Sequence, residues 1–371
     1  MTLWHTLGML LFLNLMAVYF FRLTKIQLAC VQIILGFCFS SFLDFQDATW
    51  ILLSSFGAAI VAFLAGNEFD HSYLKAHKAK LIPFSIVSFC IPFFTIFSVL
   101  YWGLNWESKK ALIASIALAE TSIAMVYSVI TTRNYGDVGK FVFCALHLTD
   151  LMVLFAITLA VMDFNVENII YFLLCNFVAF IAIRILKKKD SLNMKTIEIY
   201  GPYIFIFLIV LSAISTKYIK ALPVVPVFLL GLYASDFTRR HTQIKIDIRK
   251  FAYLFLVPIY FLRAGYLVSW DALTTSFALI FLLVSLKVAS KFIPLFYLSR
   301  QYGYSLRESG FISSMMSTGL TLGIFIVLFA FDSKIFSDQE YSILLCIIII
   351  TALVPTLLAE KILKPIDKDP T

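Results

Sequence analysis

The chain has 371 residues, of which 61% are hydrophobic and only 14% are charged, with a formal net charge of +8. An ordinary soluble domain has about 25% charged residues, so this composition argues against a soluble enzyme or a nucleic-acid binder, and the 16% aromatic content argues against a disordered chain. Apolar runs of about 20 residues, without period-two alternation, exclude an outer-membrane barrel and predict an all-α polytopic membrane protein.

Thirteen apolar runs are long enough to cross a bilayer. They cover approximately 3–21, 26–43, 48–66, 81–105, 111–132, 141–162, 169–186, 200–216, 221–236, 251–269, 272–298, 310–331 and 340–360. Loops after odd-numbered spans hold 22 Lys and Arg residues, whereas the N-terminus and the other loops hold five. The positive-inside rule therefore predicts a cell (inner or plasma) membrane protein with its N-terminus outside and its C-terminus in the cytoplasm.

The fifth span has a polar cluster at its middle, formed by Glu120, Thr121 and Ser122. Ser and Thr satisfy backbone groups where a membrane helix unwinds. Unwound helix centres expose carbonyls and helix-end dipoles, which bind cations in secondary transporters. The cluster therefore predicts a broken helix at an ion site. The alternative is an unbroken helix whose hydroxyls bond back to the preceding turn.

The sixth span carries an acid at its middle, Asp150, in an apolar run that also contains His147 and Thr149. A charge there costs at least about 2.5–3.5 kcal/mol, which makes it a functional candidate. Asp150 is suited to exchanging a proton for a monovalent cation; the alternative is a protonated acid that only bonds a neighbouring helix. His147 lies on the same helix face and is a candidate pH modulator or a hydrogen-bonded core residue.

The eleventh and twelfth spans carry further polar residues. Lys287 and Lys291 lie one helical turn apart and so on one face. Either lysine is a candidate to compensate the charge of the buried acids in the core, and Lys291 is the first candidate. The alternative for each is a side chain that extends to the cytoplasmic interface. In the twelfth span, Ser317, Thr318 and Gly319 predict a second broken helix.

The two breaks lie seven spans apart, so their helices run in opposite directions. Two breaks in oppositely directed helices are typical of inverted-topology repeats. The first six and the last six spans would form the repeats, with a linker helix at about 169–186 between them.

Taken together, these motifs resemble the monovalent cation:proton antiporter family, of the Kef-type and sodium/proton exchanger superfamily. The resemblance covers nearly the whole chain. The matching segments are Phe63-Leu-Ala-Gly66-Asn-Glu68, Glu120-Thr121-Ser122, Thr149-Asp150, Val257-Pro258-Ile-Tyr-Phe261 with Gly265, Lys291 before Ser305-Leu-Arg307-Glu308, and Ser317-Thr318-Gly319 with Gly323.

The resemblance implies a fold of inverted repeats with two broken, crossing helices in one membrane domain over 1–371. It implies a dimerisation part at about 1–66 and 200–269, and a core ion-transport part at about 81–162 and 272–360. It also implies alternating access and a homodimer surrounded by lipid. No nucleic-acid partner and no covalent cofactor are expected, and the transported ions are expected to be H⁺ and either Na⁺ or K⁺.

Asp150 is then expected to bind either the proton or the cation, with oxygen ligands from Thr149, Thr121 and Ser122. The sequence departs from the family where Thr149 replaces an acid or amide and where Glu120 brings an acid into the first break. Glu120 is a candidate substitute for the missing carboxylate and a candidate partner of Lys291. One titrating acid implies electroneutral exchange, whereas a second proton from Lys291 or Glu120 would make exchange electrogenic.

Three other functions remain open at this point. The first is a sodium-coupled transporter of organic anions on a related fold, and the second is a homologue that has lost transport. The third is a membrane-embedded acyltransferase with His147 as base, although no second catalytic group accompanies that histidine. We expect the chain not to be an enzyme.

Overall fold

The computed structural model describes residues 3–24, 26–45, 47–69, 71–132, 135–161 and 224–363, with isolated residues at 170, 177, 180, 181, 184 and 206. The helices in these ranges are, in chain order, α1 (Leu3–Thr24), α2 (Leu28–Cys38), α3 (Ala48–Asn67), α4 (His71–Ser98), α5 (Ser108–Ala119), α6 (Ile123–Thr132), α7 (Gly136–Val161), α8 (Val224–Arg240), α9 (Thr242–Phe251), α10 (Val257–Tyr266), α11 (Trp270–Thr275), α12 (Phe277–Gln301), α13 (Leu306–Met316), α14 (Thr321–Asp332) and α15 (Asp338–Ile362).

Eight segments of the described chain are long and apolar enough to cross a membrane. They are His5–Thr24, Ala48–Asn67, Ser72–Gly103, Ser108–Ile130, Gly136–Val161, Phe277–Gln301, Leu306–Asp332 and Asp338–Ile362. Each overlaps one predicted span. The predicted spans at 169–186, the linker helix, and at 200–216 lie outside the described residues, so the count of thirteen and the inverted repeats stay predictions.

Two predicted spans contain shorter helices than their apolar runs suggest. The run at 26–43 holds α2, which ends at Cys38 and is followed by a 3₁₀ turn at Ser40–Phe42. The run at 251–269 holds a π-helical turn at Ala252–Leu256 followed by α10, whereas α8 overlaps the run at 221–236 and continues past it to Arg240. Hydropathy alone does not show where a helix ends within an apolar run, because the residues that follow the helix, such as Phe42 and Leu43 after α2, are apolar as well.

One compact unit is formed by residues 1–22, 31–69 and 161–266. Within it, α3 packs against α8 and α10. Gly66 and Gly231 allow α3 and α8 to approach closely, since a Cβ on either one would overlap a backbone carbonyl oxygen of the other helix, that of Phe228 or Phe63 respectively. Small residues at such positions let membrane helices gain packing contacts that larger residues prevent.

The second unit is formed by residues 23–30, 70–160 and 267–371 and contains α4 to α7 and α11 to α15. In this unit α12 packs against α4, α13 and α15, and α5 packs against α4 and α14. Two of its helices begin with capping boxes, Ser305 with Glu308 before α13 and Ser337 with Glu340 before α15. The division of the chain into a dimerisation part and a core part stays a prediction.

Candidate functional site

Two helices of the second unit are interrupted in the middle of the membrane-spanning sequence. α5 ends at Ala119 and α6 begins at Ile123, and the intervening Glu120 has an extended backbone with φ −64° and ψ 163°. α13 ends at Met316 and α14 begins at Thr321. Both breaks therefore lie where the polar clusters predicted them.

The two breaks are joined to each other by hydrogen bonds. The Ser122 amide donates to the Thr318 carbonyl at 3.2 Å, and Thr121 Oγ1 donates to the Met316 carbonyl at 3.1 Å. Ser122 Oγ lies 3.4 Å from Thr321 Oγ1. An unwound helix leaves backbone groups without intrahelical partners, and here each break supplies partners to the other.

The hydroxyls of the second break have a different role. Ser317 Oγ donates to the Ser313 carbonyl at 2.7 Å, and Thr318 Oγ1 donates to the Met315 carbonyl at 2.7 Å. Both bonds run back to carbonyls of the preceding turn at the end of α13. These two side chains therefore complete the end of their own helix, while the Thr318 backbone reaches the first break.

Four charged residues of this unit are buried together, with side chains on the first break, α7 and α12. Glu120, Asp150, Lys287 and Lys291 are each 0% exposed. Glu120 interacts electrostatically with both lysines, and Asp150 interacts with Glu120 and Lys291. Two acids and two bases balance formally, which reduces the cost of holding charges away from water. Neither lysine extends to the membrane surface.

Lys291 is held by the end of α5. Its Nζ donates to the Glu120 carbonyl at 2.7 Å and to Thr121 Oγ1 at 2.6 Å. A cation at a helix C-terminus is stabilised by the helix dipole, and its bonds with charged donors are stronger than neutral ones. The Glu120 group that accepts from Lys291 is thus the backbone carbonyl, because the carboxylate oxygens accept no hydrogen bond from the described residues.

Asp150 lies on α7 with its carboxylate toward the first break, near the Thr121 amide. Neither carboxylate oxygen accepts a hydrogen bond within the described part of the chain. Beside it, Thr149 Oγ1 donates to the Ala145 carbonyl at 3.0 Å, so the hydroxyl proton is used and the oxygen lone pairs remain. Buried carboxylate oxygens usually have a partner, which makes Asp150 a candidate for binding a proton or an ion.

His147 is buried and makes local contacts. Its Nδ1 lies 2.6 Å from the Phe143 carbonyl, and its ring packs edge-on against the Phe143 ring with centroids 4.7 Å apart. The prediction that His147 modulates the response to pH stays a prediction.

Sequence reasoning did not assign a role to two groups of the second break, the Met316 carbonyl and the Thr321 hydroxyl. Gly323, which the resemblance placed with the second break, lies next to the Glu120 carboxylate. Thr321 could have been noticed because it interrupts an apolar run. The Met316 carbonyl could not, because every residue has a backbone carbonyl.

The comparison with known families covers almost the whole length. The chain matches the family described as sodium/hydrogen exchanger, transmembrane, over residues 9–364. The chain belongs to this family. The family predicted from the motifs is therefore confirmed, and this member is a membrane transport protein.

Individual members agree with that assignment. A probable Na⁺/H⁺ antiporter of Methanocaldococcus jannaschii is 26% identical over 271 residues, which are 70% of this chain and 69% of that protein. The Na⁺/H⁺-K⁺ antiporter GerN of Bacillus cereus is 21% identical over 318 residues, or 81% and 80% of the two chains. The sodium proton antiporter MjNhaP1 of Methanocaldococcus jannaschii superposes with a TM-score of 0.70 at 14% identity, over 99% of this chain and 100% of that chain. This likeness shows that the exchanger chain has the antiporter fold.

Proposed function

We propose that this family member exchanges protons for a monovalent cation, Na⁺ or K⁺, and that the two compete for Asp150. The observation that carries the proposal is the Asp150 carboxylate, which is fully buried beside the joined breaks and has no hydrogen-bond partner among the described residues. The relatives described above, which include Na⁺/H⁺ and Na⁺/H⁺-K⁺ antiporters, support this substrate class.

Competition for a single carboxylate couples the two fluxes. A bare carboxylate in the membrane interior is costly. A proton neutralises Asp150 by forming an O–H bond, and a cation neutralises it by forming an ion pair. Binding of either one therefore disfavours binding of the other. If the loaded forms cross between the two sides more readily than the empty form, each cation moved in one direction requires a proton moved in the other.

The hydroxyl oxygens of Thr149 and Thr121, both predicted cation ligands, differ in their availability. The Thr149 oxygen retains its lone pairs for a hard cation, which prefers oxygen ligands. Thr121 Oγ1 accepts a hydrogen bond from Lys291 and donates one to the Met316 carbonyl, so it has little remaining capacity to bind a cation. We therefore assign Thr149 and Asp150 as cation ligands, and Thr121 to the junction that positions them.

The test is proton flux in proteoliposomes that contain a pH-sensitive dye, on separate addition of Na⁺, Li⁺ and K⁺. Wild-type protein should move protons in response to at least one cation. Asp150→Asn should reduce that movement to the level of protein-free liposomes, because an amide neither titrates nor binds a cation as a carboxylate does. Asp137→Asn is the matched control: Asp137 is exposed on the same helix, about 20 Å from Asp150 along its axis.

Two results would contradict the proposal. Folded wild-type protein that moves protons with none of the three cations would favour transport of an organic ion or a loss of transport. Proton movement that survives in Asp150→Asn would place the exchange site elsewhere, and Glu120→Gln would then be the next variant.

A further inference from the structure

Ser88 on α4 has a buried hydroxyl with no hydrogen bond to the described residues. The residue is fully buried, and its Oγ has no partner in the described ranges. Two other hydroxyls of α4 do have one: Thr95 and Ser98 donate to the carbonyls of Ile91 and Phe94, one turn back, each at 2.7 Å. Helical hydroxyls commonly bond in this way, and buried ones usually have a partner. The Ser88 hydroxyl is therefore a candidate for binding a ligand.

The backbone at Ser88 leaves a second oxygen. Pro92 lies four residues later within α4 and is buried. Proline has no amide proton, so the Ser88 carbonyl receives no bond from that position of the helix. In the bilayer core such a carbonyl needs another partner, from the protein or from what the protein binds. Ser88 thus combines a hydroxyl and a carbonyl oxygen, which are both ligands that hard cations prefer.

The Ser88 side chain faces α7. Successive residues of a helix are about 100° apart around its axis, which places Ser88 between Phe84 and Ser85 on α4. Both of these neighbours contact α7. The Phe84 and Phe141 rings have centroids 5.1 Å apart, and Ser85 Oγ donates to the Ala145 carbonyl at 3.0 Å. A side chain directed between them points into the same interface.

Ser88 and Thr149 lie at similar levels along their helices. Near the starts of α4 and α7, Tyr73 Oη donates to Asp137 Oδ1 at 2.9 Å, and the contact of Ser85 with α7 lies further along both helices. The two helices therefore run in the same direction. Ser88 is three residues and Thr149 four residues beyond the Ser85 contact, or about 4.5 Å and about 6 Å along the axes.

Hydroxyl oxygens with free lone pairs surround this level of the interface. Thr149 Oγ1 and Ser85 Oγ donate to the same acceptor, the Ala145 carbonyl, each at 3.0 Å. Their protons are used there, and their lone pairs remain for a ligand. Asp150 follows Thr149 directly, and its carboxylate oxygens have no partner among the described residues. Ser88 thus adds its oxygens beside the residues to which cation binding is assigned above.

We propose that Ser88 is a further oxygen ligand of the transported cation, together with Thr149 and Asp150; this rests on the function proposed for Asp150. The carboxylate supplies the charge, and neutral oxygens from α4 and α7 replace the water that the ion loses on entering the protein. Because the Ser88 hydroxyl has no partner in the described structure, the cation gains this ligand without breaking a hydrogen bond of the described residues.

The first measurement is thermal unfolding in detergent at alkaline pH, in Na⁺, Li⁺ or K⁺ chloride against choline chloride of equal ionic strength. A bound cation stabilises the folded state by mass action, so wild-type protein should melt at a higher temperature in at least one of the three salts. Ser88→Ala should need about tenfold more of that cation for the same stabilisation. In choline chloride it should melt no lower than the wild type, because it removes a buried hydroxyl that has no partner.

The second measurement is cation-driven proton flux in proteoliposomes. Ser88→Ala should raise the half-saturating cation concentration about tenfold, with a smaller change in the maximal rate, because Asp150 still titrates. Ser88→Cys keeps the size of the side chain but offers sulfur, a poor ligand for a hard cation, so it should behave like Ser88→Ala. Ser98→Ala is the matched control: its hydroxyl on the same helix bonds back to the Phe94 carbonyl, and both readouts should equal those of the wild type.

The outcomes separate this inference from the function on which it rests. Absence of proton flux in folded wild-type protein defeats the proposed function itself. Wild-type flux with an unchanged half-saturating concentration in both Ser88 variants overturns Ser88 as a ligand and leaves exchange at Asp150 intact; the hydroxyl would then bind an enclosed water. A Ser88→Ala protein that melts below the wild type already in choline chloride also overturns the inference, because the hydroxyl would then be structural.

Discussion

Replacing Gly66 by alanine inserts a methyl group into the contact between α3 and α8. The new Cβ would overlap the Phe228 carbonyl oxygen and lie 3.0 Å from the Leu232 nitrogen. These are backbone atoms, which cannot rotate away, so the two helices must separate. Separation by about 0.5–1 Å forfeits a quarter to a half of the energy of each contact, and overpacking of this kind costs about 1–3 kcal/mol.

Gly8→Ala is the matched control for this prediction. Gly8 is also helical, and a Cβ there meets nothing within 4 Å. Both variants gain the helix propensity of alanine, about 1 kcal/mol, so the difference between them isolates the overpacking cost. Thermal unfolding in detergent should place Gly66→Ala several degrees below Gly8→Ala, at about 2–4 °C per kcal/mol for domains of 150–250 residues. Equal midpoints would refute the argument from close backbone contact.

Three further predictions concern the charged core, the helix caps and assembly. Lys291→Met leaves the Glu120 carbonyl and Thr121 Oγ1 without their charged donor, so the melting temperature and the cation-driven proton flux should both fall; an unchanged flux would show that Lys291 is dispensable. Ser305→Ala and Ser337→Ala each remove a capping box, which should cost about 1 kcal/mol in thermal unfolding while the flux per folded molecule stays the same. The purified chain should have the mass of a homodimer by light scattering in detergent, and a monomer mass would contradict the predicted assembly.

The position of the site was accessible from the sequence because it breaks the apolar pattern. Asp150 is one acid in a long apolar run, and Glu120, Thr121 and Ser122 interrupt another. Water is absent from the bilayer core, so a polar residue there requires a partner inside the protein. Buried polar residues on different spans are therefore expected to lie together, and in the described structure the first break and Asp150 belong to one unit.

The partners themselves were not accessible from the sequence. The suggested pairing of Glu120 with Lys291 stays a prediction: the Glu120 carbonyl accepts the hydrogen bond from Lys291, while the carboxylate lies beside Gly319 and Gly323 and interacts with Lys291 electrostatically. Which group of a residue is used depends on the backbone angles at the break, which neither composition nor spacing determines. The Met316 carbonyl could not be predicted as a partner either. Every residue has a backbone carbonyl, so the residue type does not indicate which carbonyl accepts a bond.

The junction between the breaks also determines which substitutions the site tolerates. At position 122 the bond to the Thr318 carbonyl is made by a backbone amide, so every residue except proline can supply it. At position 121 the bonds to Lys291 and the Met316 carbonyl need a side-chain hydroxyl, which serine retains and valine of similar shape does not. A saturation library selected for transport should therefore be restricted to hydroxyl residues at 121. At 122, where the buried side chain also accepts from the Met125 amide, the library should be restricted to small residues other than proline.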